Sequence, residues 1–85
     1  MEAEKRIELL WQTLQNRKAN EENLSFVNDM VPGSLRISGT VHGQTEHLEG
    51  IPQGVACDVL NVLKEHFKQR IDKQNKVIED LLKEA

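Results

Sequence analysis

Cysteine and aromatic residues are scarce in this 85-residue chain: one cysteine, one tryptophan, two phenylalanines and no tyrosine. With Cys57 alone, no disulfide can form within the chain, and the expected compartment is a reducing cytoplasm. Trp11, Phe26 and Phe67 are too few and too scattered to make a stacking platform for single-stranded nucleic acid. No apolar run approaches the length needed to span a bilayer, and Met1-Glu2-Ala3-Glu4-Lys5-Arg6 has no apolar core of a signal peptide. The expectation is therefore a protein without membrane attachment. There is no basic excess either. The net charge is −3, with four basic and six acidic residues in 1–33, one and two in 34–51, and six of each in 52–85. The densest positive run, Lys64 to Lys76, is diluted by Glu65 and Asp72 at helical pairing distance. It reads as a solvated helix face, and a nucleic-acid partner is disfavoured.

What is present is organised helix. From Val55 to Glu84 the chain has neither glycine nor proline, and apolar residues recur at helical spacing. Such a helix is about 45 Å long, whereas a compact monomer of this size is only about 30 Å across. The far part of the stripe therefore calls for a partner. The expected oligomer interface is Leu63, Phe67, Ile71, Gln74, Val77, Ile78, Leu81 and Leu82, with Gln74 as a polar residue that can fix register.

At the N-terminus, Ile7, Leu10, Trp11 and Leu14 make an apolar stripe, with Trp11 expected in the core. Asn20 ahead of Glu21-Glu22 looks like a new helix N-cap, so residues 2–30 read as one helix or as two. Pro32 ends the helical region. Residues 34–50 read as a β-hairpin turning at His42-Gly43, with Val41 opposite Gln44, Gly39 opposite Glu46 and Ile37 opposite Leu48. Gly39 is expected to form a bulge. The hairpin's apolar face is expected to lie on the helices, because two strands alone are not stable in water. Its open edges are a second reason to expect another subunit.

The fold class is therefore α+β in a single domain, 1–85: an N-terminal helix or helix pair (1–31), a central hairpin (34–50) and a long C-terminal helix (52–85), assembled as an oligomer. The histidines lack zinc-site spacing, and Cys57 has no adjacent base. No metal, no cofactor and no catalytic residue is expected, and the chain reads as not an enzyme. One segment could hold a ligand. Gly50-Ile51-Pro52-Gln53-Gly54 precedes a helix whose N-terminus favours an anion, and Arg36, Thr45, His47, Gln53 and Gly54 are the candidate ligand residues. The alternative role of the segment is a helix cap. Two functions follow, in this order. The first is a small oligomeric module that binds or blocks another protein. The second is a protein that sequesters a small anionic, nucleotide-like ligand between subunits.

Overall fold

The computed structural model describes residues 2–83. It contains two long helices, α1 (Ala3–Asp29) and α2 (Gln53–Lys83), joined by a short 3-10 turn (Pro32–Ser34) and a two-stranded hairpin, β1 (Ser38–Val41) and β2 (Gln44–His47). The class is α+β. The helices lie against each other and bring the start of α1 and the end of α2 to one end of the molecule, while the hairpin stands at the other.

Residues 2–30 resolve into one helix rather than two. Asn20 does not cap a new helix; it is buried in the middle of α1. Its Nδ2 donates to the Asn16 carbonyl at 3.0 Å and to Gln74 Oε1 at 3.1 Å, so the side chain that competes with helical backbone is satisfied without a break. The helix ends where the sequence requires. Met30 and Val31 are extended ahead of Pro32, and the Met30 amide caps back to the Val27 carbonyl.

α1 packs on α2 with an unexpected face. Residues 6, 10, 13, 17, 20, 24 and 27 alternate spacings of three and four, the seam of a left-handed helix pair. All are buried or half-buried, although four of them are Arg6, Thr13, Arg17 and Asn20. Thr13 is tolerated because its Oγ1 donates to the Leu9 carbonyl at 2.7 Å. Trp11 is consequently not a core residue. It is 61% exposed and Ile7 64%, because both lie beside the seam and not on it.

The apolar core is small and sits at the hairpin end. Val27, Leu35, Ala56 and Leu60 are buried, with Met30, Ile51, Val59, Leu63 and Phe67 packed around them. The C-terminal part of α2 does not overhang a small body, as helix length against a compact monomer had suggested. α1 is nearly as long, so Leu81 is buried and Ile71, Gln74 and Ile78 are half-buried within one chain. The result is elongated, 53 × 30 × 14 Å with a radius of gyration of 17.9 Å.

The hairpin has the register read from the sequence: Val41 pairs with Gln44 and Gly39 with Glu46. The Leu48 amide donates to the Ile37 carbonyl at 2.8 Å, just beyond the strands. His42 and Gly43 have φ of 50° and 79°, as a two-residue turn of the mirror-image type demands. Two expectations fail here. Gly39 sits in regular pairing without a bulge. The strands do not lie on the helices, and every residue in both is exposed. The core contact is made instead by Leu35, ahead of the strands, so the ladder extends past the helix pair.

Candidate functional site

A cleft of about 750 Å³ opens where the 3-10 turn, the base of the hairpin and the start of α2 meet. Its apolar wall is Val31, Pro32, Leu35, Leu48 and Ile51, and its polar groups are Arg36, His47, Glu49 and Gln53. The chain is shaped here by turn residues. Gly50 takes φ of 68°, which releases β2 toward the helix, and the Pro52 carbonyl accepts the Ala56 amide as the first helical bond. Pro52 thus stands just ahead of α2, which begins at Gln53.

Three of the five candidate ligand residues, Arg36, His47 and Gln53, line this cleft together. Thr45 does not line it: it pairs with Thr40 further up the hairpin. Gly54 lies in the first turn of α2, outside the lining. Arg36 is already engaged, since its Nη1 donates to the carbonyls of Gly33 (3.2 Å) and Leu35 (3.0 Å). This folds the guanidinium over its own turn and uses part of its donor capacity. Glu49, absent from the candidate ligand residues, adds a carboxylate to the wall and works against an anion. Alternation could have found it, because Glu49 lies two residues beyond His47.

A second polar constellation lies midway along the helix seam. Arg17 Nη1 donates to Asn75 Oδ1 at 2.9 Å and Arg17 Nε pairs with Glu21 at 3.6 Å, beside the Asn20–Gln74 bond. No buried side-chain polar atom among the described residues is left without a hydrogen-bond partner. This is a satisfied structural network, suited to fixing helix register and not to chemistry.

The expected interface residues divide. Leu63, Phe67, Ile71, Gln74, Ile78 and Leu81 are partly or fully covered within the chain, whereas Val77 and Leu82 are exposed. Other large apolar side chains lie open outside the expected oligomer interface: Ile7, Trp11 and Phe26 on α1, and Val55 and Val62 on α2. Cys57 is half-buried. Among the described residues no three His, Cys, Asp or Glu side chains converge on a metal position, and no helix is long and apolar enough to cross a membrane. The chain matches no protein-family model, no curated protein and no solved structure.

Proposed function

We propose that this protein is a non-catalytic interaction module that associates with itself and binds or blocks another protein through the apolar faces of its helices. The observation that carries this reading is an inversion of burial. Phe26 and Val62 are more than two-thirds exposed, with Trp11 and Ile7 close behind, while a polar pair occupies the helix seam. Aromatic side chains held on a rigid helix are the groups that dominate protein interfaces. The shape supports it too, because a thin, elongated body offers much contact surface for its mass. The lone cysteine fits work in a reducing cytoplasm.

Sedimentation velocity across micromolar concentrations tests the self-association. A sharp, concentration-independent monomer would overturn it.

A second reading has one specific observation behind it: Arg36, His47 and Gln53 meet in a cleft of ligand-like size with an apolar wall. That supports sequestration of a small anionic, nucleotide-like molecule. A rise in melting temperature with a nucleotide panel tests it, because a ligand bound only by the folded state stabilises that state.

A further inference from the structure

The exposed apolar residues at the open end of the helix pair form one surface, and Arg17 shows why. Arg17 bonds Glu21 on its own helix and Asn75 on the facing one, which puts Glu21 and Asn75 on the same flank. Residues seven apart on a helix lie two turns apart along one column. The Glu21 column therefore continues back to Leu14 and Ile7, and the Asn75 column continues on to Leu82. Trp11, one turn from Ile7, extends the surface outward. Ile7, Trp11 and Leu82 are each about 60% exposed there.

Two observations identify what covers this flank. The first is area. A compact 9.7 kDa monomer should expose about 5,100 Å², whereas this chain exposes 6662 Å². The surplus of roughly 1,500 Å² is spread over the whole thin body, the exposed hairpin included, and leaves room for the ~800 Å² per partner that a standard interface buries. The second is charge. Along the outward side of α1 the order is Glu4, Ile7, Trp11, Leu14, Lys18, with an acid at one end, a base at the other and apolar residues between. A two-fold axis at Trp11 relates residue n to residue 22 − n, and so relates Glu4 to Lys18. Both are exposed. The column is self-complementary when read antiparallel, and a parallel pairing would set Glu4 on Glu4 and Lys18 on Lys18.

We propose that a second copy of this chain docks antiparallel along α1 about a two-fold axis at Trp11. The indole rings of the two copies meet on the axis, Ile7 and Leu14 close around them, and Glu4 faces Lys18 of the second copy at both ends. The interface is isologous and closed, so it makes a dimer and not a fibre. It leaves Phe26 and Val62 uncovered for the other partner. This assignment rests on the self-association proposed above and adds its face, its symmetry and its axis residue.

The test uses the full chain. Trp11→Ala should weaken dimerisation by roughly a hundredfold, as expected of a central aromatic anchor used twice, with helical circular dichroism unchanged. Glu4→Lys and Lys18→Glu should each weaken it by about tenfold at low salt, and the double swap should restore it. Trp11→Cys in a Cys57→Ser background should form a disulfide-linked dimer under mild oxidation, since an axis residue meets its own copy. A Phe26→Cys chain treated alike should stay uncrosslinked. If the wild type is monomeric, self-association itself fails. If it is oligomeric but Trp11→Ala and the charge swaps leave its dissociation constant unchanged, the face is wrong while self-association stands.

Discussion

Asn20 on α1 and Gln74 on α2 are hydrogen-bonded to each other across the helix seam, Nδ2 to Oε1 at 3.1 Å, fifty-four residues apart in sequence. Asn20 is buried and Gln74 half-buried, and both lie where a helix pair ordinarily has leucine. One register of the two helices satisfies the pair. Any slip strands two polar groups in the seam.

Asn20→Ala should therefore cost about 1–3 kcal/mol, because it leaves the Gln74 amide without its partner. Leucine at both positions should be close to neutral, or stabilising, since no polar group is then left behind. Urea unfolding at fixed protein concentration measures both. A double variant that loses as much as Asn20→Ala would show that the seam needs the bond itself.

The neighbours Leu81 and Leu82 should behave differently. Leu81 is 6% exposed and Leu82 59%, although both belong to the apolar end of α2. Leu81→Ala should destabilise the protomer by about 2–5 kcal/mol through lost burial and the cavity left behind. Leu82→Ala should change protomer stability by less than about 0.5 kcal/mol. Thermal unfolding at dilute concentration, below any association, separates the two.

How far this fold was legible in the sequence depends on the element. α2 was legible because thirty residues without glycine or proline, carrying an apolar stripe, admit little else. The hairpin turn was legible because His42-Gly43 sits between alternating segments. The packing face of α1 was not. Ile7, Trp11 and Leu14 form the conspicuous stripe, but the seam runs through Thr13, Arg17 and Asn20, polar residues whose partners are carbonyls and amides on their own helix and on α2. Hydropathy cannot register such a seam. In the cleft, Arg36, His47 and Gln53 were legible as neighbours because the turn brings the start and end of the hairpin together. Thr45 was misplaced since the strands run outward from the helices.

That outward hairpin should be energetically loose from the rest. Gly43 has φ of 79°, so Gly43→Val strains the turn. No strand residue is buried, and the helical core has nothing to lose with it. The variant should lose amide protection over residues 38–47, while its melting temperature falls by less than about 8 °C, equivalent to roughly 1 kcal/mol for a domain this size. Collapse of the whole molecule would show that hairpin and helices unfold as one unit.

The start of α2 gives a substitution that separates a cap from a cradle. Gly54 has no positive φ, and a Cβ built on it meets nothing within 4 Å. Glycine is thus not required there by backbone conformation or by any neighbour in the protomer. Gly54→Ala should stabilise the protein by about 0.5–1 kcal/mol, because alanine costs less backbone entropy in a helix. Gln53→Ala, a change to an exposed first-turn residue, should stay within about 0.5 kcal/mol. Both outcomes are expected if the segment only begins a helix. A cradle for an anion answers differently. Gln53→Ala would remove a hydrogen bond to a charged group, worth about 1.5–3 kcal/mol and hence roughly ten- to a hundredfold in affinity. The added methyl of Gly54→Ala would crowd any ligand resting on the helix N-terminus. Calorimetric titration of both variants with inorganic phosphate and with a nucleoside diphosphate, alongside their unfolding curves, distinguishes the two roles. Higher stability for Gly54→Ala, with no heat of binding in the parent chain, marks Gly50 to Gly54 as a helix start and nothing more.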